Sequence, residues 1–442
     1  MAEKIKLYQK ENNKLVNSFL NHTFFKGWKE DLVNFEQLEI FLNTSCNLKC
    51  KYCYVANYGE ELYPIEIQSP KILLRNLSLF LDWLIRKGYY PKIEIFGGEP
   101  FSQELGFKAL ELILNKFKSV KNRPKSIVIP TNYTFLLSPE KTKRVEELIQ
   151  ASRELEMPII LSASFDGKYC EKNRPFKTGK EKRNNEYYER VFAFNKKYCY
   201  GFHPMIYSVL IENWQKNFLW FQKNFKKFNI PFFNIYLLEV RNVEWSKKQI
   251  KEFMRFIEFL IEWTYYFPCQ KNKGNFLDFV FNKKGYNILH SPLTTVGRGI
   301  GCSLQSTFHL RLGDLTFIPC HRTSYSPFEL GRFIVKNGRI IGIESKNPEL
   351  LIGSITFDIK TAPICESCPL KYLCSGGCLG AQYETTGDLF SPIPTVCQLE
   401  HAKILTMIKT YKRLGIYDRI FEKLNKDKKV SLNLLEEFIN EE

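Results

Sequence analysis

Cys46, Cys50 and Cys53 stand in the run Cys46-Asn47-Leu48-Lys49-Cys50-Lys51-Tyr52-Cys53, with three and then two residues between them. One short loop can therefore set three thiolates around a single metal centre. Structural zinc asks for four closed ligands, usually delivered as two pairs. A lone triad suits an iron–sulfur cubane instead, because three protein ligands for four irons leave one iron open. An open iron can chelate the amino and carboxylate groups of a substrate.

A second set of thiols follows the pattern Cys365-x2-Cys368-x5-Cys374-x3-Cys378, closed by Cys397 and preceded by Cys302 and Cys320. These could make one zinc site with thiols left over, or two cubanes that use every cysteine of the set. The chain has 13 cysteines in 442 residues and opens on a charged, polar stretch without the apolar core of a signal peptide. No later stretch runs long enough without charge to span a bilayer. A cytoplasmic location is expected, where thiols stay reduced and serve metals rather than disulfides. Cys170, Cys199 and Cys269 fall outside both sets and read as small apolar residues.

The elements that must position the first triad are β-type runs at Leu38–Asn43, Lys92–Phe96, Ser126–Thr131, Ile159–Phe165, His203–Leu210 and Phe232–Val240. Between them lie amphipathic stretches at helical spacing, such as 72–85, 107–117, 142–155 and 218–228. This alternation builds βα units around a parallel sheet, and six of them predict an α/β fold with an open, partial (β/α)6 TIM-like barrel. In such folds chemistry collects beyond the carboxyl ends of the strands. Cys46 follows the first strand, Gly97-Gly98-Glu99-Pro100 the second, Thr131-Asn132 ends the third and Asp166-Gly167 follows the fourth, so all are expected on one rim. Ser246, with Gln249 three residues on, predicts a capped helix running to about Tyr266. The expected division is an N-terminal extension over 1–36, the barrel over 37–240, a helical bridge over 241–300, a cysteine-rich domain over 301–400 and a helical tail over 401–442.

Apolar residues at 44% and aromatic residues at 15% supply a packed core and exclude a disordered chain. The formal charge of +17 is spread along helical faces such as 141–153, which reads as a solvated basic surface.

The triad, with Tyr52 just before its last cysteine, resembles the hallmark of the radical S-adenosylmethionine superfamily, and Gly97-Gly98-Glu99-Pro100 closing the second strand is similar to that family's second motif. The resemblance implies a [4Fe-4S] cluster on Cys46, Cys50 and Cys53 with S-adenosyl-L-methionine on its open iron. It also implies release of a 5′-deoxyadenosyl radical once an electron reaches the sulfonium. Gly97, Gly98, Glu99 and Pro100 would meet the methionine moiety, the glycines by close backbone approach. Ser164 and Arg174 would lie near the ribose or carboxylate. The later cysteines look like a SPASM domain, which carries two auxiliary clusters. By that likeness Cys365, Cys368, Cys374 and Cys397 hold the outer one, and Cys302, Cys320 and Cys378 the inner, for three [4Fe-4S] clusters in all. No cysteine lies between Cys302 and Cys320, so the inner cluster either keeps an open iron or takes a ligand from elsewhere.

Enzymes that resemble this whole architecture act on polypeptides. The implied function is an oxidoreductase of peptide maturation, which abstracts a hydrogen from a ribosomally made precursor and forms a thioether or carbon–carbon crosslink. Sulfatase maturation to formylglycine is the alternative. Sulfatase maturases typically carry an aspartate after the second inner-cluster cysteine, where this chain has His321, itself able to act as a base. Peptide epimerisation is another reading, and a zinc-stabilised nucleic-acid-binding protein the distant one. Glu239 and Arg241, closing the sixth strand, could bind or deprotonate a substrate peptide or form a strand-end ion pair. The expected partners are the precursor peptide, an electron donor such as flavodoxin or ferredoxin, and a separate leader-binding protein. Neither a membrane nor nucleic acid is expected.

Overall fold

The computed structural model describes residues 37–179, 183–267, 276–281, 286–294, 307–346, 363–374, 377–388 and 391–441. The extension over 1–36, Cys269 and Cys302 lie outside the described residues.

Four strands make the centre: β1 (Gln37–Phe41), β2 (Lys92–Phe96), β3 (Ile127–Thr131) and β4 (Ile159–Ala163), paired in parallel in that order. Leu38, Ile40, Ile93, Ile95, Ile127, Ile129, Ile159 and Leu161 are buried on one face, the alternation that a period of two demands. Against that face pack α2 (Pro70–Lys87), α3 (Glu104–Phe117), α4 (Pro139–Glu154), α5 (Asn185–Tyr198) and α6 (Trp214–Phe228), which follow a short α1 (Tyr54–Leu62). Strand order follows chain order, so right-handed crossovers put every helix on the same side and leave the other face to curl inward. That inner face carries Glu39 beside Glu94, which in turn sits beside Val128. Helix starts are set locally. Ser69 and Ser138 accept from the amides of Ile72 and Lys141, each with proline at the first helical position.

The last two strands are shorter than the sequence predicts. β5 (Gly201–Phe202) closes the main sheet beside β4, whereas β6 (Met205–Ile206) and β7 (Leu238–Glu239) pair separately in parallel. Pro204 has no amide to give and divides β5 from β6. Phe232, expected in a strand, packs against Trp263 and Phe279. The bridge opens with α7 (Lys247–Tyr266), whose capping box is present: Ser246 Oγ accepts from Gln249 N at 3.3 Å, and Ser246 N donates to Gln249 Oε1 at 2.9 Å. Two short helices follow, α8 (Phe276–Phe281) and α9 (Asn287–Thr294).

The cysteine-rich region shares the barrel's own sheet. β8 (Thr307–Arg311) pairs in parallel with β1, and β9 (Thr316–Ile318), β10 (Gly331–Lys336) and β11 (Arg339–Ser345) continue antiparallel. Among the described residues the result is a nine-stranded sheet in the order β11-β10-β9-β8-β1-β2-β3-β4-β5. Asn76 on α2 donates to the carbonyls of Leu312 and Gly313 at 2.9 and 2.7 Å. A Cβ on Gly313 would fall 2.4 Å from the Ile67 carbonyl, so only glycine lets this turn close on the barrel. The chain ends in α10 (Pro363–Glu366), α11 (Leu379–Thr386), α12 (Pro394–Arg413), α13 (Tyr417–Lys423) and α14 (Lys426–Glu441). α12 begins before His401 and carries Cys397, so the helical tail starts inside the cysteine-rich stretch. Among the described residues no helix is long and apolar enough to cross a membrane.

Candidate cluster and cofactor site

The cysteine loop leaves β1 and is tied down on both sides by backbone. Lys49 and Lys51 donate to the carbonyls of Pro175 and Asn173 at 2.8 and 2.9 Å, and Lys177 donates back to Asn47 at 3.0 Å. On the other side Gly98 and Glu99 donate to Asn43 and Ser45 at 2.9 and 2.8 Å. A Cβ on Gly97 would lie 2.4 Å from the Asn43 carbonyl, and one on Gly98 2.0 Å from that of Ser45. The close approach these glycines permit is therefore to the root of the cysteine loop. The segment 173–177 is a rail that the sequence reading missed, having no motif of its own.

Glu99 is 4% exposed and accepts from Phe101 N, Thr131 Oγ1 and Asn132 N at 3.1, 2.7 and 2.6 Å. Burial outweighs these neutral donors and pushes its carboxyl up to about 7. Both oxygens are engaged within the chain, so Glu99 braces β2 against β3 at the rim, and Pro100 is buried behind it. Asn132 extends the brace to the loop, donating to Asn47 Oδ1 at 2.9 Å. Tyr52 donates its hydroxyl to Asp166 at 2.7 Å, and Arg174 pairs with the same carboxylate at 2.9 Å while lying over the Tyr52 ring, 5.4 Å from its centroid. The carboxylate that buried Arg174 meets is thus the chain's own. Ser164 is half-buried and donates its amide to Thr131 O at 2.8 Å.

The residues at this rim fit a cationic cluster. Burial, then the negative charge of Glu99, pushes the Cys46 thiol up to about 12; burial, opposed by Arg174 and reinforced by Cys53 and Cys46, does the same for Cys50. Thiols that crowd one another and hold their protons become thiolates when metal charge is supplied among them. Cys170 is buried and Cys199 exposed.

Cys365, Cys368, Cys374 and Cys397 line one pocket together with Gln382, Glu400 and His401, whose Nε2 is 3.8 Å from Cys368 Sγ. Four thiols around one pocket likewise suit a metal centre. Cys320 and Cys53 both act electrostatically on Tyr54, and Cys378 acts on Arg322, whose guanidinium covers the Tyr54 ring at 4.8 Å. Tyr54 is thereby common ground between the first triad and the inner set.

Glu239 is buried in an ion cluster. Arg241 reaches it at 2.6 Å and Glu400 at 3.1 Å, while Lys403 reaches Glu400 at 2.8 Å and Glu239 at 3.4 Å. The geometry supports the strand-end ion pair, enlarged by two residues of α12 that the sequence reading did not single out. His321 turns to the inner face, stacked on Phe96 at 4.1 Å between ring centroids and paired with Glu39.

No family model matches the sequence, and no curated protein matches it. Among solved structures, anSMEcpe with bound AdoMet aligns at a TM-score of 0.56 and 16% identity, over 89% of this chain and 97% of that one. Native anSMEcpe with bound AdoMet and Cp18Cys peptide aligns at 0.56 and 18%, over 87% and 99%. Streptococcus suis SuiB bound to precursor peptide SuiA aligns at 0.46 and 13%, over 82% and 76%, too distantly to bear on the fold. These neighbours are radical S-adenosylmethionine structures with a SPASM extension, and the chain shares the parallel β/α core and cysteine-rich C-terminal region of anSMEcpe.

Proposed function

We propose that the chain is a radical S-adenosylmethionine enzyme that modifies a polypeptide, joining a thioether or carbon–carbon crosslink in a ribosomally made precursor. One observation carries the reading: three thiols on a loop fastened between the Gly97-Gly98-Glu99 turn and the Asn173–Lys177 rail, beside the Tyr52–Asp166–Arg174 group. Cys46, Cys50 and Cys53 would hold a [4Fe-4S] cluster, and bound S-adenosylmethionine would supply a hydrogen-abstracting radical. The protein's part is positional. Backbone bonds fix the loop, and Glu99 locks the neighbouring strand ends together. Cys365, Cys368, Cys374 and Cys397 are proposed to hold the outer auxiliary cluster, with Cys320, Cys378 and Cys302 at the inner one. An electron donor of flavodoxin or ferredoxin type and a leader-binding protein complete the proposed partners.

Sulfatase-type maturation stands as the second reading, since the alignment with anSMEcpe spans nearly all of that chain. Mass analysis of a candidate peptide after incubation with reduced enzyme separates the two. Loss of a hydrogen pair with a new crosslink supports the first; formylglycine without a crosslink supports the second; deuterium uptake without mass loss would indicate epimerisation. The underlying chemistry is tested by the Cys46→Ala, Cys50→Ala, Cys53→Ala triple variant. It should lose all cleavage of S-adenosylmethionine yet keep iron in the C-terminal region, and cleavage that survives would overturn the reading.

A further inference from the structure

We infer that Glu39, His309 and His321 form a site for one divalent transition-metal ion on the inner face of the barrel, built without a thiol although His321 follows Cys320 of the inner set. The three come from separate elements brought together by the sheet. Glu39 is at the middle of β1, His309 is its cross-strand partner on β8, and His321 lies in the turn after Cys320. One donor atom of each lies within 4.8 Å of the other two. Both imidazoles turn Nδ1 to the same Glu39 oxygen, His309 at 3.3 Å and His321 in closer contact.

The arrangement is poorly explained as packing. His309 is 3% exposed, and its Nε2 has no hydrogen-bond partner among the described residues, although buried polar groups are normally paired. Glu94, the cross-strand neighbour of Glu39 on β2, places a second carboxylate on the same face. Glu94 is met by Gln37 at 2.6 Å, while Glu39 is hydrogen-bonded to His321 and has His309 Nδ1 standing 3.3 Å away. Two acidic side chains and two imidazoles from four separate elements thus meet on one face.

Two imidazoles and one carboxylate are a donor set that suits zinc and iron(II), and zinc is the tighter binder of the two. Three protein ligands leave a coordination position for water or for an oxygen or sulfur donor of the substrate. His321, the most exposed of the three, sits against Phe96 at the upper end of β2 and so puts that position towards the rim that carries the cysteine loop. The inference stands on residues outside the thiol sets and does not depend on the reaction proposed above.

The test uses the iron–sulfur-loaded full chain, treated with chelator, titrated with Zn²⁺ and desalted. One zinc per chain should remain by elemental analysis, and X-ray absorption should show a nitrogen and oxygen shell at about 2.0–2.1 Å. His309→Ala and His321→Ala should each lower zinc affinity about tenfold or more, with iron and sulfide content unchanged. His321→Ala alters a partly exposed turn, so it separates loss of a ligand from loss of fold if His309→Ala cannot be purified. A sulfur shell at about 2.3 Å would assign the zinc to cysteines and overturn the site. So would zinc retention equal in wild type and variants, or none in wild type, which would leave a carboxylate bonded to imidazoles and nothing more.

Discussion

Two buried charge clusters in this protein differ in their balance. At the joint between barrel and α12, Glu239 and Glu400 face Arg241 and Lys403, acid matched to base. On the inner face, Glu39 and Glu94 are accompanied by His309 and His321, which carry charge only when protonated. Burial works against the Glu239 carboxylate, but Lys403 and Arg241 hold it well below the usual carboxylate range. A cluster that neutralises itself is a fastening. One whose bases are imidazoles offers ring nitrogens that a metal ion can take in place of protons.

The sharpest way to break this contrast is Glu239→Ala. It strands two cations beside one acid, and removing one partner of a buried ion pair costs about 3–5 kcal/mol. Chemical denaturation should show a correspondingly lower midpoint, and an unchanged midpoint would mean that the cluster fastens nothing.

The next effect lies in pH. Burial first, then the nearby charge of Glu39, pushes the Glu94 carboxyl from 4.5 up to about 7. A folded value above the unfolded one means a stabilising contribution that is complete below pH 4.5 and lost as pH rises through about 7. Glu94→Gln should therefore flatten the stability profile across that window, by about 2–3 kcal/mol. Saturating Zn²⁺ should shrink the wild-type slope, because a cation at Glu39 offsets the charge that Glu94 meets. A slope indifferent to both changes would remove Glu94 from the comparison.

Smaller still, His309→Phe in ion-free protein should change unfolding free energy by no more than about 1 kcal/mol, since an apolar ring replaces a buried imidazole that makes no hydrogen bond among the described residues and only stands near Glu39. A much larger loss in thermal melts would argue that the imidazole is structural. The exposed Arg413 pair with Glu258 sets the lower bound of the scale. Glu258→Ala should cost under about 0.5 kcal/mol, and a larger cost would show that exposed charges here fasten as well as buried ones.

The rim was legible because its information is local. Short apolar runs at 92–96 and 159–163 fix parallel strands, and residues just past them must lie at their carboxyl ends. Gly97 and Gly98 were legible as sites of close approach, but the backbone they approach, Asn43 and Ser45, depends on how two loops cross. Phe232 and Pro204 misled because β-type residues serve equally well as packing and as strand, and only tertiary contact decides. Glu39 lies inside the β-type run Leu38–Asn43 and belongs to no motif. A charge at the centre of a strand covered on both faces was the available signal, and it needed β8 to be seen as the neighbour of β1. Glu400 and Lys403 are one turn apart on α12, a spacing shared by many exposed pairs.

The pairing of β1 with β8 has a consequence for how the chain is made. Gln37 finds Thr307 only after the intervening 269 residues have emerged. At synthesis rates of roughly 5–20 residues per second, the outer edge of β1 waits on the order of tens of seconds for its partner. A bare strand edge is a template for pairing with other chains, and an inward-pointing charge is one of the devices that discourage it. Glu39 occupies the middle of that waiting edge. The same carboxylate that gathers two imidazoles in the finished fold can thus keep the unfinished barrel from joining its neighbours on the ribosome, and a nascent chain stalled before Thr307 should aggregate more readily when Glu39 is replaced by valine.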